Sequence, residues 1–357
     1  MENINKVLSY LEDEESKFIY LKKLEYNKTN DICHIRDILE KYLPEFKGKI
    51  FDSGIEEELI RFLKSKKKIV LFGSGLNGKK FLNLLSMREI AVSCIADNDS
   101  YKWGTKINGV EIKAPDDIDF SDVDAVVITP YKQELIDAIK QQLIRLGVQR
   151  ESMVIYRDAF PYYLEWKQYF EPNIIEFKED EVFIDAGALD LGTSTRFAKL
   201  CKDNNVNFKI YAFEPDRISY KKCNDVLSNT SFPNLKLYNL GLWHENTTLY
   251  FSEQGDGSSR IMQQEMPVSA KVVSLDSCIT DKVTFIKMDI EGAELNALKG
   301  SREIIKKYKP RLAVSVYHKN QDLIEIPLYI KELVPEYKLY IRHYSNAAIE
   351  TVLYAVV

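Results

Sequence analysis

A short apolar run that ends in Asp185 is followed by a group of small residues, Gly187 and Ala188 among them, and then by helical spacing. This order predicts a buried strand, a tight turn and the start of a helix. Small residues let the backbone approach a ligand closely, because no Cβ stands in the way. We therefore predict that Asp185, Gly187 and Ala188 bind a nucleotide-like ligand.

A second acidic residue, Glu214, ends the apolar run 208–213 and is followed by Pro215. A carboxylate there can accept hydrogen bonds from both ribose hydroxyls of an adenosine. Each such bond contributes on the order of 1.5–3 kcal/mol. Asn239 and Leu240 follow the next apolar run, where they would flank the adenine. We predict that these residues complete the cofactor site.

Seven apolar runs in residues 179–357 predict the sheet that positions these residues. Helical patterns follow the first, fourth and fifth runs, as in a doubly wound α/β fold, and a hairpin-like stretch lies between the third and the fourth. The last two, 337–341 and 351–357, have no helix between them and are expected to pair antiparallel. This plan is typical of class I methyltransferases rather than of dehydrogenases.

The motifs of this half resemble those of the FkbM family of methyltransferases over roughly residues 175 to 357. They are DAGA at 185–188, FEP at 213–215, Asn239 with Gly241 and Leu242, SLD at 274–276, KMDIEGAE at 287–294 and SVYH at 315–318. The resemblance implies methyl transfer from S-adenosylmethionine, typically to a hydroxyl group of a sugar or a secondary metabolite.

A hydroxyl group is a poor nucleophile at neutral pH, so a positioned base accelerates transfer by a factor of about 10²–10⁴. His318 and Asp289 follow the fifth and fourth predicted strands, at the edge where open α/β sheets bind ligands. We predict His318 as the base because its ordinary pKa lies nearest physiological pH. Asp289 would orient His318, bind the amino group of the methionine moiety, or act as the base itself.

Asp289, Glu291 and His318 are also consistent with other roles. Together they could hold a divalent cation, as in metal-assisted O-methyltransferases. Glu291 is equally consistent with a helix start, where the helix dipole favours a carboxylate. His318 is consistent with a buried structural histidine at a strand end. The leading prediction is a site without a metal.

The N-terminal half repeats the arrangement of strand, glycine turn and helix. Gly73, Gly75 and Gly78 follow the buried run 69–72, and Asp97 ends the next predicted strand about 20 residues later, where an acid would meet a ribose hydroxyl. Only four strands are predicted here, so the domain corresponds to half of a dinucleotide fold.

The runs 97–104 and 107–110 resemble the N-terminal nucleotide-binding modules of bacterial sugar-nucleotide and surface-polysaccharide enzymes. The resemblance implies that these loops touch a nucleotide or a nucleotide sugar. The alternative is a vestigial Rossmann-like domain, in which Gly73 and Gly75 only close a turn.

The pattern predicts an α/β protein in which a seven-stranded class I methyltransferase sheet follows a smaller Rossmann-like domain. The expected parts are an N-terminal helical segment (1–65), the Rossmann-like domain (66–157), a linker (158–178) and the methyltransferase domain (179–357). A chain of 357 residues is long enough for two such domains.

The formal charge of −5 gives no basic field for nucleic acid or for an anionic membrane surface. Five scattered cysteines without CxxC spacing fit a reducing cytoplasm rather than a disulfide framework or a zinc site. The polar, acidic N-terminus is unlike a signal peptide, and no membrane-spanning run is present. We expect a cytoplasmic protein with a small-molecule or saccharide acceptor and no nucleic-acid partner; a homo-oligomer stays open.

Three hypotheses follow. The leading one is an S-adenosylmethionine-dependent O-methyltransferase that acts on a saccharide or nucleotide sugar of a bacterial surface-glycan pathway. The second is an oxidoreductase that binds NAD at the turn of residues 73–78 with Asp97. The third is a non-catalytic scaffold with two nucleotide folds, which is favoured if Asp289 and His318 do not face the cofactor.

Overall fold

The computed structural model describes residues 2–43, 53–130, 133–159, 164, 166–229, 232, 234–250 and 269–357. The chain divides into a larger unit, Met1–Pro44 with Tyr163–Val357, and a smaller unit, Glu45–Tyr162. The division places the first three helices in the larger unit. Of the predicted linker, residues 160–163 and 165 lie outside the described residues. Within the described residues, no helix is both long enough and apolar enough to cross a membrane.

Three helices begin the larger unit: α1 (Glu2–Tyr10), α2 (Glu14–Thr29) and α3 (Cys33–Tyr42). The Asp13 side chain accepts a hydrogen bond from Ser16 N at 2.8 Å, which satisfies one of the free N–H groups at the start of α2. The same helix ends at Asn30 in the left-handed conformation, a common helix stop.

The smaller unit contains a six-stranded sheet. Its elements are α4 (Ser53–Lys64), β1 (Ile69–Phe72), α5 (Leu76–Met87), β2 (Cys94–Ala96), β3 (Lys106–Ile107), β4 (Val110–Lys113), β5 (Ala125–Ile128), α6 (Gln133–Arg145), β6 (Met153–Ile155) and α7 (Tyr156–Ala159). The strand order is β3-β4-β2-β1-β5-β6, and only the β3–β4 pair is antiparallel. The run 107–110, which suggested a ligand loop, lies within the β3–β4 hairpin.

The larger unit continues with strands, helices and a second, small sheet. Its elements are β7 (Asp180–Ala186), α8 (Gly192–Asp203), β8 (Asn207–Phe213), α9 (Arg217–Asn229), β9 (Leu235–Tyr238), β10 (Gly241–Leu242), β11 (Thr247–Tyr250), β12 (Ser269–Val273), α10 (Leu275–Cys278), β13 (Phe285–Met288), α11 (Glu294–Lys299), α12 (Arg302–Tyr308), β14 (Arg311–Ser315), α13 (Asp322–Leu333), β15 (Lys338–His343) and β16 (Thr351–Val356).

The main sheet of this unit has seven strands in the order β9-β8-β7-β13-β14-β16-β15. The first five are parallel, whereas β16 pairs antiparallel with both β14 and β15. This order confirms the predicted class I methyltransferase fold. Because Ala186 pairs with Met288, the segments that follow β7 and β13 emerge side by side at the same edge.

Stacked aromatic rings beneath this edge fix the central strands. The Phe183 ring of β7 stacks on Phe197 of α8 with 4.3 Å between ring centroids, and Phe285 of β13 lies 5.2 Å from Phe183. All three side chains are buried. Each ring removes a large apolar surface from water, so this packing holds β7, β13 and α8 as one platform below the strand ends.

Candidate active site

A cleft of about 500 Å³ opens at the carboxyl ends of β7, β8 and β13 in the larger unit. Open α/β sheets bind their ligands at this edge. Residues that follow all three strands line the cleft, including the predicted Gly187, Ala188, Glu214, Pro215 and Asp289. The structure therefore brings these five predicted residues together in one place.

Gly187 has a φ of 81°, which a residue with a side chain rarely adopts. A Cβ added there would overlap the carbonyl oxygen of Asp289. The Lys287 ammonium holds the turn from below, because it donates to Gly187 O at 2.6 Å and to Ala186 O at 3.0 Å. The turn thus leaves its upper face open to a ligand.

Asp185 does not line the cleft; it lies buried beneath it. Its carboxylate pairs with the Lys287 ammonium at 3.0 Å and accepts a hydrogen bond from the Ser194 hydroxyl at 2.7 Å. The structure thus places Asp185 beneath the cleft rather than among the residues that line it. The carboxylate instead positions Lys287 and, through Lys287, the turn at Gly187.

Glu214 follows β8 and presents a nearly buried carboxylate to the cleft. It accepts hydrogen bonds from Leu189 N at 2.8 Å and Asp216 N at 2.9 Å, which fix its orientation. Burial raises the pKa of Glu214 to about 7, despite these two hydrogen bonds. A ligand that donates hydrogen bonds to this carboxylate would relieve part of the cost of burying it.

Asn239 and Leu240 lie at the exit of β9 but do not line the cleft. The Asn239 amide donates to Glu214 O at 2.8 Å and to Pro215 O at 3.3 Å, and these hydrogen bonds fix the backbone of the segment that carries Glu214. The corresponding wall of the cleft is formed by the next residues, Gly241 and Leu242, which are the strand β10. The prediction for the adenine wall is thus displaced by one to two residues.

Asp289 follows β13 and is fixed by two tyrosines. Its Oδ2 accepts a hydrogen bond from the Tyr169 hydroxyl at 2.8 Å, and its Oδ1 accepts one from the Tyr317 hydroxyl at 3.2 Å. Burial tends to raise the pKa of Asp289, but the charges of His318 and Lys287 outweigh it and hold that pKa below its usual value. Asp289 is therefore an ionised carboxylate in a fixed orientation.

Glu350, between β15 and β16, also lines the cleft and was missed by sequence reasoning. Its carboxylate accepts a hydrogen bond from the Gln168 amide and lies 3.4 Å from the Tyr317 hydroxyl, whose single proton is shared between Glu350 and Asp289. Burial, together with the charge of Asp289, raises the pKa of Glu350 to about 7. Tyr317 thus joins two carboxylates whose pKa values are pushed apart, a pattern typical of acid–base sites.

His318 is surrounded by carboxylates and does not line the cleft. Its Nδ1 lies 2.9 Å from Glu294 Oε1, and its Nε2 lies 3.5 Å from Glu291 Oε1 and 3.6 Å from Asp289 Oδ1. Burial would lower the pKa of His318, but the neighbouring carboxylates raise it to about 11. A protonated imidazole cannot accept a proton, so this environment argues against His318 as the base.

Backbone strain is concentrated around the cleft. Five residues at or beside it have positive φ although they are not glycine: Tyr169 (70°), Leu189 (51°), Leu191 (64°), Glu291 (55°) and Glu350 (65°). Such conformations cost roughly 1–2 kcal/mol each and persist only where the surrounding structure enforces them. Their concentration here supports a functional role for this edge.

In the smaller unit, side chains next to the glycine turn form hydrogen bonds with it. The Asp97 carboxylate accepts hydrogen bonds from Ser74 N at 2.8 Å and from the Ser74 hydroxyl. A Cβ at Gly78 would overlap Gly73 O, so this glycine allows α5 to pack closely on the turn. Gly75 faces open space. Internal contacts thus hold the turn at Ser74 and Gly78, whereas Gly75 stays open, and nucleotide binding at Gly73, Gly75, Gly78 and Asp97 stays a prediction.

Comparison with known proteins places this geometry in context. Residues 185–342 match the family described as the methyltransferase FkbM domain, and residues 65–154 match the family described as C2185-like, N-terminal. No curated protein matches the chain. The FkbM match includes most residues of the cleft, though not Gln168, Tyr169 and Glu350. It confirms the resemblance drawn from the sequence motifs: the larger unit carries a methyltransferase domain, and the chain is a methyltransferase.

The solved structures that the chain matches include two methyltransferases and one dehydrogenase. The methyltransferase FkbM from Methylobacillus flagellatus KT is 22% identical, with 94% of this chain and 100% of that chain covered and a TM-score of 0.47. SMU.1697c, a putative methyltransferase from Streptococcus mutans in complex with SAH, is 13% identical over 52% of this chain and 92% of that chain, with a TM-score of 0.31. UDP-D-quinovosamine 4-dehydrogenase from Vibrio fischeri is 23% identical over 25% of this chain and 77% of that chain, with a TM-score of 0.22.

Proposed function

We propose that this methyltransferase moves the methyl group of S-adenosylmethionine to a hydroxyl group of a saccharide. The observation that carries the proposal is the charge of the cleft. Among the described residues, two cationic side chains line it, Arg196 and Lys287, against six carboxylates: Asp190, Glu214, Asp216, Asp289, Glu291 and Glu350. Such a site favours a donor with a sulfonium and an ammonium group over NAD, whose diphosphate is anionic.

The residues at one end of the cleft fit an adenosine. Glu214 offers a carboxylate to the ribose hydroxyls, and the turn from Gly187 to Leu189 gives a close approach to the backbone. Lys287 and Asp185 support that turn from below. When bound, S-adenosylmethionine supplies an activated methyl group, so the protein must chiefly align an acceptor oxygen and exclude water.

The residues at the Asp289 end fit a hydroxyl acceptor. Glu350 accepts the proton of that hydroxyl, because a base is most effective when its pKa lies near the working pH. Asp289 stays ionised and offers a hydrogen-bond acceptor to the same group. Tyr317 holds both carboxylates, which fixes the position of the base relative to Asp289. This assignment replaces His318 by Glu350 as the base.

The saccharide acceptor rests on the resemblance of the smaller unit to modules of surface-polysaccharide enzymes. A surface-glycan pathway in the cytoplasm is therefore the setting we propose. The smaller unit contributes no group to the chemistry proposed here.

Calorimetric titration with S-adenosylhomocysteine, NAD and nucleotide sugars tests the donor. We expect S-adenosylhomocysteine to bind and, at 100 times its dissociation constant, to add about 2.7 kcal/mol to the free energy of unfolding. Glu214→Ala should abolish this binding, whereas Asp97→Ala should leave it unchanged. NAD binding that is lost in Asp97→Ala would support the oxidoreductase hypothesis instead.

Glu350→Gln tests the base once an acceptor has been found by transfer of a labelled methyl group to a panel of saccharides. We expect kcat to fall by about 10²–10⁴, with unchanged affinity for S-adenosylhomocysteine. The wild-type rate should rise with pH through about 7 as Glu350 loses its proton. Glu332→Gln, at an exposed position on α13, is the matched control. Unchanged turnover in Glu350→Gln would exclude this residue as the base.

A further inference from the structure

The carboxylates around His318 form a cluster that a simple ion pair does not explain. Nε2 faces Glu291 at 3.5 Å and Asp289 at 3.6 Å, and Nδ1 faces Glu294 at 2.9 Å. Within the described part of the chain, neither ring nitrogen makes a hydrogen bond of acceptable geometry. Contacts of 3.5 Å and more lie beyond the usual N–H···O distance of 2.7–3.2 Å.

Burial makes this arrangement costly. The His318 side chain is 8% exposed and that of Glu294 is 0% exposed. Glu294 Oε1 accepts a hydrogen bond from Ile290 N at 2.9 Å, but Oε2 is buried with no hydrogen-bond partner among the described residues. A buried carboxylate oxygen without a partner costs free energy unless another group compensates it. The unpartnered atoms of His318 and Glu294 therefore call for a ligand between these side chains.

We propose that His318, Asp289 and Glu294 form a binding site for one divalent cation, with Glu291 at its edge; the ion replaces the proton that the imidazole carries in its absence. One donor atom from each of the three residues can be chosen so that all lie within 4.8 Å of one another. A first-row ion lies about 2.0–2.2 Å from its donors, so three donors spread evenly around one ion are at most about 3.8 Å apart. Side-chain shifts of up to about 1 Å would close the site.

The donor set selects the kind of ion. Carboxylate oxygens suit Mg²⁺, Ca²⁺ and Mn²⁺, whereas an imidazole nitrogen suits transition ions. One imidazole with two or three carboxylates therefore favours Mn²⁺. The tyrosines that donate to Asp289 supply the outer contacts that orient a ligand carboxylate in metal sites. Glu294, rather than Glu291 as the sequence suggested, is the third ligand.

The cation site adjoins the acceptor end of the cleft. Asp289 and Glu291 line both the cluster and the cleft, so an ion held by Asp289 lies beside the acceptor end. Resting on the proposed function, the ion would bind the acceptor hydroxyl oxygen and lower its pKa. The hydroxyl proton passes to Glu350, the oxygen forms the new bond to the methyl carbon, and the carbon–sulfur bond breaks to leave a neutral thioether. The ion undergoes no redox change.

Direct Mn²⁺ binding tests the site without any methyl transfer. The full chain, treated with EDTA and dialysed, is titrated with MnCl₂ while the electron paramagnetic resonance signal of free Mn²⁺ is recorded. We expect one bound Mn²⁺ in the wild type and at least tenfold weaker binding in His318→Gln. His244→Gln, in which the replaced side chain is 43% exposed, should bind as the wild type does.

Two results would overturn the proposal: a wild-type chain that leaves all Mn²⁺ free, or equal binding by His318→Gln. If His318→Gln does not fold, the wild type alone decides, because saturating Mn²⁺ must then raise its melting temperature. Titration with S-adenosylhomocysteine separates this inference from the proposed function. Mn²⁺ binding without S-adenosylhomocysteine binding would refute the donor assignment and leave the cation site standing; the reverse would refute the cation site alone.

Discussion

The raised pKa of Glu214 makes the affinity for the donor depend on pH. In the free protein this pKa is about 7, and hydrogen bonds from ribose hydroxyls would stabilise the ionised form. Affinity should therefore be full above pH 7 and fall as the pH drops through that value. At pH 6 about one-tenth of the Glu214 carboxyl groups are ionised, so binding should weaken about tenfold, or by about 1.4 kcal/mol, relative to pH 8.

Glu214→Gln removes the negative charge of this side chain while keeping its shape, and so it measures the contribution of the charge to donor binding. Replacing two charge-assisted hydrogen bonds by neutral ones should cost about 2 kcal/mol, which is about a 30-fold loss of affinity at pH 8. The variant should also lose most of the pH dependence between pH 6 and 8. Calorimetric titration with S-adenosylhomocysteine at four pH values measures both effects, with Glu332→Gln as the exposed control. A wild-type affinity that is flat from pH 6 to 8 would refute the assignment of Glu214 to the ribose.

Two further predictions concern the scaffold. Gly187→Ala should lower the free energy of unfolding, measured with urea, by more than the roughly 1–2 kcal/mol of backbone strain alone, because the new Cβ also overlaps Asp289 O. The variant should also lose S-adenosylhomocysteine binding. Gly109→Ala is the control: Gly109 has a φ of 83° but open space around it, so the variant should lose only the strain energy. Burial lowers the pKa of Lys23 to about 7, so the protonated amine destabilises the fold below that pH. The stability gained in Lys23→Met should shrink as pH rises from 7 to 9, by up to about 1.4 kcal/mol per pH unit, in unfolding curves taken at several pH values; a constant difference would contradict the shifted pKa.

The sheet and its glycine turn could be predicted because local pattern determines them. Buried parallel strands produce continuous apolar runs, and a turn that closely approaches other backbone needs a residue such as Gly187. These two signals are sufficient to predict that Glu214 and Asp289 lie at one edge of the sheet. Side-chain direction was not available from the same signals, which is why Asp185 was expected in the cleft rather than beneath it.

The errors at the Asp289 end have a different cause. The expectation for His318 rested on the pKa of an isolated imidazole, whereas three carboxylates that flank the ring raise that pKa to about 11. Glu350 and Tyr169 reach the cleft from irregular segments outside the motifs. No periodicity marks such residues, so only the folded chain brings them to Asp289.

The charge of the cleft also discriminates between the two acceptors that the sequence left open. Even with Glu214 and Glu350 both protonated, four carboxylates and the two cations Arg196 and Lys287 line the described part of the cleft. A like-charge contact at about 5 Å costs roughly 3 kcal/mol at an effective dielectric constant of about 20. The diphosphate of a nucleotide sugar would make more than one such repulsive contact with the carboxylates of the cleft. A cation held by His318, Asp289 and Glu294 would offset part of it, but only at that end. An uncharged saccharide avoids the penalty and still offers the hydroxyl that Glu350 needs, so it is the acceptor that this cleft favours.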